Sequence, residues 1–147
     1  MTYSRRNFAV VRSSADLLPN AIEESIRLEP AAAVVDRYAT RDVELGGARI
    51  RCGDLVTVSI AGANRDPAVF TDPDRINIHR ANARLNLAFA QGPHFCLGAH
   101  LARTETMIAV GRLLDRLPGL RLDPNRPNAP RGLVFRRPPS LHLRWTV

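Results

Sequence analysis

Few aromatic residues, few cysteines and no long apolar run mark this 147-residue chain. Phe, Trp and Tyr together make up 5% of it, too few for a platform of rings on which nucleic-acid bases stack. Two cysteines, Cys52 and Cys96, cannot build a disulfide framework, and nothing points to secretion. No stretch approaches the length needed to span a bilayer, and the opening MTYSRRNFAVV holds no apolar core of signal-peptide size. A cytoplasmic protein without a membrane partner is the expectation. Internal repeats and low-complexity tracts are absent as well.

What is present fits one modest domain with a real core. Hydrophobic residues are 45% of the chain and charged residues 24%, the balance of an ordinary globular protein. Basic residues number 21 against 14 acidic ones, for a net charge of +7 and a pI near 11.1. They are scattered rather than gathered in one run. Such a charge suits nucleic acid, and it suits an acidic protein partner steered by the field equally well.

Taken in order, Asp16, Leu17, Leu18 and Pro19 read as a helix start, with proline in the first turn. The helix runs through NAIEESIRLE and stops at Pro30. Glu24 and Arg27 lie three apart on one of its faces, a spacing that on most helices is a solvated ion pair of little worth. Pro30 to Asp36 is an apolar connector of small residues. Strands follow: Val43 and Leu45 alternate with charges, Gly46-Gly47 is a turn, and Ala48, Ile50 and Cys52 alternate again. Cys52 reads as a small apolar filler. After the turn at Gly53-Asp54, Leu55, Val56, Val58 and Ile60 form one more apolar strand. ANRDP at 63–67 is a turn, and the stretch to Arg84 is irregular and punctuated by proline.

The residues Phe89 to Gly98, FAQGPHFCLG, carry the chemistry. Cys96 stands where a loop with glycine and proline gives way to a long apolar helix, AHLARTETMIAVGRLLDRL. Unpaired N–H groups and the helix macrodipole favour negative charge there, and a cysteine so placed loses its proton more easily. Gly92 and Gly98 lack a β-carbon, so a large flat ligand can approach the backbone beside the sulfur. His94 offers a polar or cationic group at the edge, and Phe89 can shield the thiolate from water. In the helix, Met107, Val110, Leu114 and Leu117 share one face, and Leu97, Leu101, Thr104 and Ile108 the other. A helix apolar on two sides is expected to be buried between layers. The C-terminal segment holds three loop prolines, then two short strand patterns, Leu133 to Phe135 and Leu141 to Trp145.

Phe, Gly, a basic residue, Cys and Gly at these spacings resemble the haem-ligand loop of the cytochromes P450. The motifs EESIR, ANRDP and the Cys96 loop occur in that family's order, and the resemblance runs from about Leu17 to Trp145. One departure is Ala90, where the family has glycine or a small polar residue; a left-handed backbone there would be strained. Another is Ile76, where the family prefers phenylalanine. The resemblance implies an α+β fold: the C-terminal part of the cytochrome P450 fold. Its parts are a Glu-x-x-Arg helix, a small antiparallel sheet, a meander, the cysteine haem loop, a buried long helix and a terminal β-hairpin. Residues 1–147 would be a single partial domain.

The resemblance also implies roles. Cys96 would be the axial ligand of haem b iron, its thiolate pushing electron density onto the metal and favouring O–O cleavage, in a monooxygenase that inserts one oxygen atom of O2 into an organic substrate. Arg37 and His94 would neutralise the propionates, since a guanidinium meets a carboxylate in bidentate fashion. Phe89, Gly92 and Gly98 would line the haem, and N–H groups of residues 96–98 would tune the sulfur. Glu24 and Arg27 would form a buried network with Arg75. Ala33, Val34, Val35, Val134 and Phe135 would contact a small organic substrate. Electrons would come from NAD(P)H through a ferredoxin or similar acidic redox partner, with no nucleic acid bound.

The resemblance leaves out the family's distal helix, with its acid-alcohol pair, and everything before the Glu-x-x-Arg helix. A truncated gene, one piece of a split gene or a misplaced start codon would each give such a chain, which is expected to fold poorly by itself and to lack monooxygenase activity. Two other classes fit parts of the sequence: a zinc module using His94, Cys96 and His100, and a basic nucleic-acid-binding module.

Overall fold

Pro19 and a run of buried side chains fix the central helix. In a computed structural model, which describes the backbone of residues 5–146 and the side chains of residues 8–146, α1 is Arg5–Ser13 and α2 is Leu18–Leu28. Pro19 occupies the first turn of α2, where its missing N–H leaves no bond unmade. The helix ends before Pro30, which cannot continue the ladder. Its buried residues are Ile22, Glu23, Glu24, Arg27 and Leu28. Three of these five carry charge, so the inward face of α2 needs partners for its charges as well as apolar neighbours.

Val34–Tyr38 (β1) pairs antiparallel with Leu55–Ser59 (β4), and Val43–Leu45 (β2) with Ala48–Ile50 (β3). The β2–β3 turn is Gly46-Gly47, at φ 57° and 79°, the left-handed pair that a two-residue hairpin requires. Several expectations change here. β1 begins at Val34, inside the supposed connector, because the Ala33 N–H donates to the Val134 carbonyl at 2.8 Å and the Ala33 carbonyl accepts from Ala61 at 3.0 Å. Arg37 therefore lies within β1, opposite Val56. The strand expected to include Ile60 stops at Ser59. Its hydroxyl accepts the Gly62 N–H at 3.0 Å and caps the short helix α3, Ile60–Ala63. Cys52 is exposed in the turn after β3, and its N–H donates to Asp42 Oδ1 at 2.9 Å, so it fills no core.

Residues 64–98 run without α-helix or strand and lead into α4, Ala99–Arg116. α4 packs against α2, and Val11, Ile78 and Leu114 form a core cluster with Leu17, Leu18, Ala21 and Val110 around it. Arg12 of α1 donates to the carbonyls of Leu114 and Leu117, where a cation meets the negative end of the helix dipole. Burial of α4 on two faces is not found. Only Ala99 and Leu114 are buried along it, while Leu101 is 63% exposed and Ile108 61%, because α1 and α2 cover one side alone.

The chain closes differently from a hairpin. Leu143–Arg144 (β6) pairs with Arg121–Leu122 (β5), and residues 131–137 make only isolated bridges, Arg131 with Arg137 and Phe135 with Ala32. Pro138 and Pro139 supply no N–H donors, so a ladder cannot run through them.

Candidate functional site

Cys96 is a free, exposed thiol held by backbone bonds on both sides. Its N–H donates to the Phe89 carbonyl at 2.8 Å, which closes the loop, and its carbonyl accepts from Ala99 at 3.1 Å, which opens α4. Between them lies a 3-10 turn, Gly92–His94, with Phe95 N–H bonded to the Gly92 carbonyl at 3.0 Å. Gly92 has φ 74° and Ala90 φ 59°, so the alanine does carry the strained left-handed backbone. The Cys96 N–H is taken, whereas the N–H groups of the next two residues, Leu97 and Gly98, meet no backbone acceptor among the described residues. A β-carbon added at Gly98 would stand 3.9 Å from Cys96 Sγ, and one at Gly92 would meet nothing within 4 Å. The sulfur thus lies beside the residue that precedes α4 and is exposed, and the backbone at Gly92 borders open space. Leu97 is fully exposed at 100% and Phe95 is 46% exposed. An exposed sulfur donor with unused N–H groups nearby in the chain, glycine clearance and apolar surface fits a flat metal macrocycle bound through its metal.

Glu24 anchors a buried network between α2 and the irregular stretch that precedes the cysteine loop. Arg27 Nε donates to Glu24 Oε2 at 2.7 Å and Nη2 to Oε1 at 2.9 Å, while Nη1 reaches the carbonyls of Asn64 and Pro73 at 2.7 and 2.8 Å. The third side chain is Arg80, not Arg75. Arg80 Nε lies 3.0 and 3.1 Å from the two Glu24 oxygens, and Nη1 donates to Thr71 O at 2.7 Å. Arg75 is exposed because the turn closed by its N–H to the Asp72 carbonyl carries it outward. Only its own carbonyl joins, accepting from Arg27 and Arg80 at 3.3 and 3.2 Å. Both guanidinium groups lie over the buried Phe70 ring, 5.0 and 5.9 Å from its centroid. Burial pushes the Glu24 carboxyl up, but hydrogen bonds from Arg27, the Asn77 N–H and Arg80, with the charge of Arg27, outweigh it and hold the pKa below the ordinary 4.5. A signal for Arg80 was present: Ile76, Ile78 and Arg80 alternate, and the last two are buried.

Three further residues, Glu23, Asn86 and Arg103, went unread in the sequence. Glu23, 3% exposed, accepts from Arg103 Nε at 2.5 Å and from Asn86 Nδ2 at 3.1 Å. The Arg103 guanidinium lies 4.5 Å from the centroid of the Phe89 ring. No motif marks this set, since its members are 80 positions apart along the chain.

The other named residues sort as follows. Arg37 is exposed, and among the described residues its guanidinium donates only to the Asp36 carbonyl, at 2.7 Å. His94 is exposed on the 3-10 turn. The two segments expected at a substrate come together: Ala33 N–H meets Val134 O, and Phe135 bridges Ala32. Ala33 itself is 5% exposed while Phe135 is 76% exposed, so the alanine side chain presents nothing to a pocket. No group of three His, Cys, Asp or Glu able to hold a metal ion occurs among the described residues. His94, Cys96 and His100 therefore do not make a zinc centre, as a structural zinc needs four donors. No helix among the described residues is long and apolar enough to cross a membrane.

Comparison with known proteins agrees with this geometry. The family model described as Cytochrome P450 matches residues 11–143. Putative cytochrome P450 140 of Mycobacterium tuberculosis (strain ATCC 25618 / H37Rv) is 47% identical over 115 residues, covering 78% of this chain and 26% of that protein. Nocardicin C N-oxygenase of Nocardia uniformis subsp. tsuyamanensis is 42% identical over 142 residues, covering 94% of this chain and 35% of that one. Among solved structures, CYP109E1 of Bacillus megaterium, in complex with testosterone, superposes with a TM-score of 0.93 at 32% identity, over 98% of this chain and 40% of that chain. The chain thus spans a quarter to two fifths of the length of these relatives.

Proposed function

This chain belongs to the cytochrome P450 family, and on that premise we propose that it forms the thiolate side of a haem monooxygenase, with Cys96 as the iron ligand. The observation that carries this reading is the exposed Cys96 sulfur at the start of α4, beside a glycine where any β-carbon would stand 3.9 Å from it. Bound there, haem b supplies reductive activation of dioxygen and transfer of one oxygen atom to an organic substrate.

The chain's own residues do the rest. The N–H groups of Leu97 and Gly98, which meet no backbone acceptor among the described residues, would be available to stabilise the charge of a ligating thiolate. Phe89 fixes the loop through its carbonyl, which accepts the Cys96 N–H, and its ring would help cover the sulfur once haem is bound. Arg37 and His94, both exposed, neutralise the propionates. Val34, Val35, Val134 and Phe135 form one apolar edge for the substrate, with Ala33 as its buried backbone support. Electrons reach the site from NAD(P)H through a ferredoxin or similar acidic partner, drawn by a net charge of +7. A cytoplasmic location and the assignment of residues 1–147 to one partial domain belong to the same proposal.

The test is haem titration of the chain, followed by reduction under carbon monoxide. The expected result is partial haem uptake, in keeping with a chain expected to fold poorly by itself, with a thiolate-type band in the parent and in Cys52→Ser and its loss in Cys96→Ser. The same band in Cys96→Ser would overturn the assignment.

A further inference from the structure

The Glu24 network orders the irregular stretch after α3, whereas Glu23 reaches the cysteine loop through two side chains. Glu23 lies on α2 with its side chain 4% exposed. A buried carboxylate without partners is costly, and this one has two. One is Asn86, whose Nδ2 also donates to Ala83 O at 2.8 Å and whose Oδ1 accepts the Ala88 N–H at 3.1 Å. Asn86 therefore pins the backbone immediately before Phe89. The other is Arg103 on α4, which donates to both Glu23 oxygens, from Nε at 2.5 Å and Nη2 at 3.2 Å. So held, the guanidinium has one orientation, and its face covers the Phe89 ring at 4.5 Å, within the range of an attractive cation–π contact. Phe89 is also the residue whose carbonyl receives the Cys96 N–H.

We propose that Glu23 and Arg103 form a clamp that positions Phe89, and through its carbonyl the backbone of Cys96. Arg103 is a positioning residue: the geometry links it to the Phe89 ring and to Glu23, and it acts on Cys96 only through them. The planar fork matters, since a guanidinium both pairs with a carboxylate through two N–H groups and stacks on a ring, and an ammonium does neither in the same way. The clamp stands on protein contacts alone; its consequence for bound haem rests on the function proposed above.

Amide hydrogen exchange in the full 147-residue chain reads the clamp without haem. In Arg103→Met the Cys96 amide should exchange about tenfold faster, the scale of a lost partly desolvated cation–π contact, while the Arg27 amide inside α2 keeps its rate. Phe89→Leu should give the same change, and the double variant no more than either single one. Should Arg103→Met leave Glu23 too exposed to folding failure, Arg103→Lys keeps the charge and should show a smaller, still selective, acceleration. An unchanged Cys96 amide in either Arg103 variant overturns the clamp, as does a Cys96 amide already exchanging at the unfolded rate in the parent. Acceleration of the Cys96 and Arg27 amides by equal factors also overturns it, since that is a general loss of stability. In the haem-loaded protein, the reduced carbon-monoxide band of Arg103→Lys should be weaker than the parent's. A parent that takes up no haem refutes the proposed function, and the exchange rates then judge the clamp by themselves.

Discussion

Arg80 Nε stands 3.0 Å from Glu24 Oε1 across a sequence separation of 56. With the Arg27 pair three residues along the helix, it leaves both Glu24 oxygens satisfied and fully buried. Two arginines and one glutamate in a dry site carry a net positive charge, which the carbonyls of Thr71, Asp72, Pro73, Arg75 and Asn64 offset. The irregular stretch after α3 is therefore ordered by guanidinium donors instead of by a ladder. Removing Arg80 takes a donor from the carbonyls of Thr71, Asp72 and Arg75 and from one buried carboxylate. Arg80→Met should cost about 3–5 kcal/mol, the range for breaking a buried pair, measured by urea unfolding, and Arg75→Met less than 1 kcal/mol by the same measure, as expected of a surface substitution. Equal losses in the two variants would contradict the structural assignment.

Acid should act through the same carboxylate. The folded pKa of Glu24 lies below 4.5, so the folded state binds fewer protons than the unfolded one in that window. Stability from this group is fully present above the ordinary value and is lost as pH falls through the folded pKa. Unfolding free energy of the parent should therefore fall as pH drops below 4.5. In Glu24→Gln the part of that slope due to residue 24 disappears, on top of a lower stability at neutral pH. Circular dichroism melts between pH 3 and 7 measure both, and a variant with the parent's slope would assign the acid sensitivity elsewhere.

Much of this arrangement was legible in the sequence, and the reasons differ by element. Pro19 and Pro30 bracket α2 because proline acts locally, and Gly46-Gly47 marks a hairpin for the same kind of reason. The cysteine loop was readable because glycine, cysteine and a helix start carry chemistry at fixed spacing. Arg80 was not found because Arg75 and Arg80 are both arginines in one irregular stretch, and only the turn at Asp72 decides which faces inward. Glu23, Asn86 and Arg103 were missed since a contact between α2 and α4 leaves no periodic trace. The exposure of α4 could not be read either, because periodicity reports that a face is apolar, not that a neighbour covers it.

Ala90 is a local misfit with a simple remedy. Its φ of 59° costs an alanine what a glycine escapes, since the β-carbon crowds the following carbonyl. Ala90→Gly should raise the unfolding free energy by about 1 kcal/mol, the strain relieved outweighing glycine's extra chain entropy. The same change should leave the Cys96 N–H bond to Phe89 O intact. Thermal unfolding of both proteins decides it: a variant that melts lower would show that the turn at Ala90 is unstrained.

The outer side of α4 sets how the chain behaves in solution. Leu97 is 100% exposed, Leu101 63% and Ile108 61%, and these three follow the helical repeat on one face. Large leucine and isoleucine side chains lined up in water attract apolar dyes and one another. The 147-residue chain should bind an environment-sensitive naphthalene dye and self-associate at micromolar concentration. Replacing Leu101 and Ile108 with glutamate should reduce both effects by several fold and leave the α2 network untouched, because neither side chain packs inward. Dye titration together with sedimentation velocity separates surface from core. If the double variant bound dye as strongly as the parent, the dye site would lie off this face of α4, as at the exposed Leu133 and Phe135 or in the cleft lined by Phe8, Ile22, Ile26, Ile76 and Val110.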